Sequence, residues 1–210
     1  MQPGKFGYLQ EIPEVNNLRA MFFDLCQELA TAKFKFNTYK TLFETKESVE
    51  VLNGTAPAAF GLIGSSFRTD IVVTLCRLTD PAANRSQQNL TFKTLAEAIG
   101  DPVITSAVEK LVSCCAPLRK HRNKSKAHKA LEYALDPVNN RLPPIDLKLF
   151  NDCFSAAADA VNTISRKYSG SDFGFDMRAP GDGDSLLAFL TSALEMERKR
   201  RKELFKDSDW

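Results

Sequence analysis

Leu147, Phe150, Phe154, Ala157, Val161 and Ile164 step along the chain by 3, 4, 3, 4 and 3 residues. Side chains return to one face of a helix every 3.6 residues, so this spacing draws a continuous apolar strip down a helix and matches neither face of a strand. The same rule recurs upstream. After Pro13, the residues Leu18, Phe22, Leu25, Leu29, Phe36, Tyr39 and Phe43 share a face and predict one long helix from about Glu14 to about Lys46. Phe60, Ile63, Phe67, Ile71, Leu75 and Leu78 predict a second, stopped by Asp80-Pro81. Asn53-Gly54 and Pro57 read as the punctuation between them, and a connection that short makes the two helices antiparallel. Alternation of period two never persists, so no strand is required and the fold class is all-α.

Local signals divide the rest. Phe92, Leu95 and Ile99 form a short helical segment ending at Gly100, and Asp101-Pro102 reads as N-cap and first helical residue of the next. Ile104, Val108, Leu111, Cys115 and Leu118 continue that helix until Pro117 kinks or restarts it. Residues 169–184, rich in Gly and Asp, form a loop, with Asp184 placed to cap a final helix whose charged end runs from Glu197 to Glu203. The expected organisation is an N-terminal extension over 1–13, a helical domain over 14–168, that loop, and a C-terminal helix over 185–210 packed on or extending the same domain.

Composition narrows the function classes. With 43% hydrophobic and 26% charged residues the chain is globular, and a net charge of +2 means that attraction to a polyanion must come from local clustering. The segment MQPGKFGYLQEIPE lacks the order of a secretory signal, and no stretch reads as about 20 apolar residues in a row, so a cytoplasmic protein without membrane contact is expected. The 5 cysteines lack C-x-x-C spacing and are expected to be reduced core thiols. Cys114 and Cys115 with His121 fall short of a zinc site, and neither a metal nor a cofactor is expected.

Charge is most one-sided between Arg119 and Lys129, where Arg119, Lys120, Arg122, Lys124, Lys126 and Lys129 stand with both histidines of the chain, His121 and His128, and no acid. A solvated helix face accounts for such a run; a site for phosphate accounts for it and for the histidines, because imidazole is the usual acid or base near neutral pH. On a regular helix Arg122 and His128 differ by about 120°, so both reach one phosphate only if the helix is broken after Pro117 or if two copies pool their motifs.

Arg122-Asn123, with five positions between Arg122 and His128, resembles the R-x(4–6)-H signature of HEPN domains. The chain is most similar to the HEPN proteins grouped with abortive-infection systems, on its long first helices, the Arg77-Leu-x-Asp80 that ends the second, and L-R-x-x-R-N-K-x-x-A-H from Leu118 to His128. The resemblance implies a HEPN-like bundle of long antiparallel helices with an added C-terminal helix. It further implies metal-independent RNA cleavage, a homodimer with a shared cleft, a role in phage defence or toxin-like growth control, and a possible antitoxin or nucleotidyltransferase partner. In that reading His128 moves the proton, Arg122 stabilises charge on the phosphorane, Asn123 positions, and Arg119, Lys120, Lys124, Lys126 and Lys129 bind the RNA. The alternative is a catalytically inactive HEPN-like protein that binds RNA or a nucleotide, or serves as a scaffold. Arg77 and Asp80, three apart, are expected to pair with each other or to cap the helix. Arg198 to Lys202 read as a solvated helix end.

Overall fold

A computed structural model of the chain describes residues 18–84, 87–126, 135, 136, 139, 142–174 and 182–204. The helices are α1 (Leu18–Phe43), α2 (Lys46–Thr55), α3 (Pro57–Leu78), α4 (Phe92–Ile99), α5 (Pro102–Cys114), α6 (Ala116–His121), α7 (Leu147–Ser169) and α8 (Gly183–Leu204), with a π-helical turn at Arg122–Lys126. The class is all-α. One detail departs from expectation: β1 (Ala83–Asn84) and β2 (Gln87–Gln88) pair antiparallel, Ala83 opposite Gln88 and Asn84 opposite Gln87. Asn89 closes the base of this hairpin, its side-chain amide donating to the Pro81 carbonyl at 3.0 Å and its backbone N–H to that of Ala82 at 2.8 Å.

The described residues fall into two compact units, one drawn from 1–33 and 70–176, the other from 34–69 and 177–210, with α1 and α3 contributing to both. In the first unit α5 packs chiefly on α7. Ile104, Val108 and Leu111 of α5 and Phe150, Phe154, Ala157, Val161 and Ile164 of α7 are buried, so the 3-4-3-4-3 strip is the buried face. Each large apolar side chain fully removed from water contributes about 1.5–3 kcal/mol. The ends are fixed as their residues suggest. Asp101 accepts from the N–H groups of Val103 and Ile104, Asp146 from that of Leu149, and Gly100 and Gly170 close α4 and α7 at φ of 69° and 68°, where a side chain is strained. Lys167 of α7 also pairs with Asp101.

In the second unit α2 packs on α8. The helix α2 itself was hidden by two misleading signals. Asn53-Gly54 lies inside it and not in a turn: a Cβ at Gly54 would stand 3.0 Å from Cδ2 of Leu194, so the position is glycine because of the close approach to α8. The predicted first helix stops at Phe43, before Lys46, because Thr45 starts a new one, its hydroxyl accepting from the Ser48 N–H at 3.1 Å while the Ser48 hydroxyl donates to the Thr45 carbonyl at 3.0 Å. Within this unit Phe43 of α1 lies against Gly64 of α3; within the first unit Glu28 of α1 pairs with Arg77 of α3. The last helix is capped by Asp182, which accepts from the Ser185 N–H at 3.2 Å, and Asp184 sits in its first turn.

Two sequence expectations about solubility and thiols meet the structure here. By length and composition α3, with 22 residues, is apolar enough to cross a membrane, contrary to the reading of the sequence, although Arg68 and Asp70 lie near its middle. None of the cysteines forms a disulfide; Cys26, Cys76, Cys115 and Cys153 are buried and Cys114 is half-buried. Burial pushes the thiols of Cys26 and Cys76 up to about 12. The Cys153 thiol donates to the Cys114 carbonyl at 3.4 Å and is raised by its thiol neighbours and by burial, while the neighbouring Cys115 thiol is lowered by Cys153. Burial nevertheless shields it. A thiol reagent at pH 8 is expected to titrate Cys114 alone in the native protein, and Cys26, Cys76, Cys115 and Cys153 only after denaturant. Rapid reaction of more than one group before unfolding contradicts this packing.

Candidate functional site

The site is built on the C-terminal end of α3, where unsatisfied carbonyls and the helix dipole attract cations. Thr79 is buried, and its hydroxyl donates back to the Leu75 carbonyl at 2.7 Å. Asp80 follows, its side chain 21% exposed. The next residue is Pro81, which cannot prolong the helix and so leaves this end open to another element.

That element is α6 with the π turn behind it. Pro117 lies in the first turn of α6, and Cys115 separates it from α5, so the helix restarts at the proline as the sequence predicts. Arg119 on α6 donates from Nη2 to both the carbonyl and the hydroxyl of Thr79 at 2.8 Å, and its Nε stands 3.4 Å from Oδ1 of Asp80. Arg122, which ends α6 and opens the π turn, donates from Nη1 to Oδ2 of Asp80 at 2.5 Å and from Nε to Oδ1 of Asn123 at 3.0 Å. One carboxylate therefore holds two guanidiniums, and a charge-assisted pair fixes both the position and the plane of Arg122. Cys76 lies close enough to both arginines for their charge to oppose the upward shift that burial imposes on its thiol.

Arg77 does not pair with Asp80, as three-residue spacing suggests. It makes a two-pronged pair with Glu28, at 2.7 Å from Nη1 and 2.6 Å from Nη2, because it points along the exposed side of α3 while Asp80 lies beyond the helix end. The true partners of Asp80 are 39 and 42 residues away in sequence.

The predicted residues are distributed as follows. Arg122 and Arg119 share Asp80; Asn123 is exposed beside Arg122; Lys120 and Lys124 are exposed on the same segment. Lys126 closes the π turn, and its side chain lies outside the described residues, as do His128 and Lys129 altogether. A π turn is uncommon and recurs at functional sites; here it spans Arg122–Lys126. His121 is half-buried, and its Nε2 bonds to the Pro143 carbonyl, which only accepts, so Nε2 carries the proton and this imidazole ties the chain before α7 to α6. Among the described residues no three His, Cys, Asp or Glu side chains gather as metal ligands do. On α8, Glu197 binds Arg200 and Arg201, which with their neighbours stay exposed.

Replacing Asp80 by asparagine keeps the shape and removes the charge that two half-buried guanidiniums share. We expect a loss of about 1–3 kcal/mol, the cost of under-satisfied charged groups at a partly exposed site. The urea midpoint of the D80N chain measures it, and an unchanged midpoint contradicts the clamp.

No curated protein and no solved structure matches the chain. A family model does, that of HEPN_AbiU2, described as AbiU2, over residues 16–189, which takes in the bundle, the cationic segment and the start of α8. The chain thus belongs to the HEPN_AbiU2 family, the HEPN proteins of abortive-infection type.

Proposed function

We propose that this chain is a metal-independent endoribonuclease that acts as a homodimer in the cytoplasm, in phage defence or toxin-like growth control. One observation carries the reading: Arg122, held by Asp80 and Asn123 on a π turn, sits within the chain's most cationic segment, and that segment carries the Arg-to-His spacing of its family. Asp80 and Asn123 use two of the five N–H donors of Arg122, so the guanidinium is oriented before any phosphate arrives. In the reaction the ribose 2′-oxygen attacks the adjacent phosphorus as a base takes its proton. The bond to the 5′-oxygen breaks as that oxygen gains a proton, leaving a 2′,3′-cyclic phosphate and a 5′-hydroxyl. His128 supplies the proton transfers, Arg122 bears the charge of the phosphorane, and Asn123 positions, with Arg119, Lys120, Lys124, Lys126 and Lys129 drawing in the strand. An antitoxin or nucleotidyltransferase partner that masks the segment fits a toxin-like role.

A second reading is favoured by the same clamp. Asp80 already neutralises part of the charge of Arg119 and Arg122, which suits a protein that binds RNA through its lysines without cutting it. Incubating the full chain with labelled RNA in excess chelator separates the two. The nuclease reading expects cleavage, with His128→Ala slowing it by about 10²–10⁴ while RNA is still bound. Binding without cleavage at any protein concentration supports the silent binder.

A further inference from the structure

Along α8 and its cap, Asp182, Leu186, Phe189, Ala193, Met196 and Arg200 step by 4, 3, 4, 3 and 4 residues, the period that marks the buried strip of α7. Here the strip faces water. Phe189 is 74% exposed and Met196 65%, and Leu186 is exposed as well. It is not the face that holds α8 in its own unit. That face carries Gly183, against Thr41, and Leu194, against Gly54, and it lies roughly a third of a turn round the helix from the strip. A second apolar face of this kind marks an interaction surface.

Three features say what covers it. The strip is narrow, its outer edge lined by Ser185, Ser192 and Lys199, all exposed; that is the seam of a paired helix and not the broad apolar face that lies in a lipid surface. The strip also complements itself when reversed. With a second α8 laid antiparallel and a two-fold axis passing beside Thr191, Leu186 meets the partner's Met196, Phe189 meets the partner's Ala193, and Asp182 meets the partner's Arg200. A large ring then faces a small side chain and an acid faces a base, each pairing made twice. Finally, both charged ends have capacity to spare. Glu197 takes Nε and Nη2 of Arg200, and Ser185 donates its N–H and hydroxyl to Oδ1 of Asp182, so Nη1 of the arginine and Oδ2 of the aspartate have no partner among the described residues. A parallel pair would instead set arginine on arginine and acid on acid, with the helix dipoles aligned.

We propose that a second copy of this chain docks on this strip, α8 against α8, as an antiparallel pair about a two-fold axis. The proposal gives the homodimer above its contact and rests on that part of the reading alone, since none of its residues belongs to the segment from Leu118 to Leu131.

Sedimentation equilibrium of the full chain tests it, with a dimer of roughly micromolar dissociation constant expected. Phe189→Glu and Met196→Glu are each expected to raise that constant at least about tenfold, as charges set into the centre of an interface do, with circular dichroism unchanged because both side chains are exposed. Ala188→Glu, exposed but off the strip, is expected to leave it where it was. Cross-linking reads the orientation. On a Cys114→Ser background, oxidised glutathione is expected to join chains in an equal mixture of Leu186→Cys and Met196→Cys, and to join neither variant to itself. Each variant joined to itself and not to the other marks a parallel pair and overturns the proposal. A dimer indifferent to Phe189→Glu and Met196→Glu overturns this contact and leaves the homodimer standing; a chain monomeric at every concentration overturns both. Dissociation by these variants with RNA still cut at the native rate supports the contact and takes the second copy out of the chemistry.

Discussion

If the chain is the endoribonuclease proposed above, replacing Arg122 by alanine is expected to lower the rate of RNA cleavage by about 10²–10³, the loss that follows when a preorganised donor to a developing anion is removed. The guanidinium is preorganised by Asp80 and Asn123, so it pays little reorganisation when charge builds on the phosphate oxygens. The fold survives the substitution, since Asp80 keeps Arg119 at 3.4 Å and Arg119 keeps Thr79 at 2.8 Å. Arg122→Lys retains the charge but not the planar fork that meets Asp80 with one nitrogen and Asn123 with another, so most of the loss persists. Single-turnover rates on a labelled oligonucleotide measure both variants, with circular dichroism as the check on folding. An Arg122→Ala chain that cuts at the native rate removes the guanidinium from the chemistry.

Phe150→Ala is expected to cost about 3–5 kcal/mol, the largest stability effect among single changes in α7. Phe150 is 1% exposed and begins the apolar strip that α7 buries. Truncation removes an aromatic ring from water-free surroundings and leaves a hole that helices fixed by Asp101, Asp146 and Gly170 collapse into only partly. Since a whole domain is stable by about 5–15 kcal/mol, the variant stands close to unfolding at 37 °C. Urea denaturation measures the loss. Asp152→Ala, two residues away, removes only an exposed pair with Lys148 and leaves the midpoint where it was. Equal effects of the two substitutions contradict the burial of this strip.

These two expectations also divide what the sequence displays from what it conceals. The strip from Leu147 to Ile164 is legible because burial on one helix face imposes its period on neighbouring residues, and Gly100-Asp101-Pro102 because helix ends are satisfied by the residues beside them. Thr45 and Ser48 carry the same kind of local signal, but it lies inside a longer apolar pattern, and Asn53-Gly54 points to a turn where the constraint is the distant Leu194. The cationic segment stands out through its one-sided charge. Its anchor does not: Asp80 meets Arg119 and Arg122 only after α4 and α5 have turned the chain back, and nothing near Asp80 in sequence distinguishes that pairing from one with Arg77. A cluster of cations next to a helix end that carries an acid and then a proline is the signal that points to it.

The mass of the RNA products made in excess chelator tests the central claim most directly, because it records which oxygen attacked the phosphorus. Attack by the neighbouring ribose hydroxyl predicts fragments ending in 2′,3′-cyclic phosphate, followed by fragments that begin with 5′-hydroxyl, and no cleavage where a single deoxynucleotide replaces the scissile one. Fragments ending in 3′-hydroxyl and beginning with 5′-phosphate would contradict it.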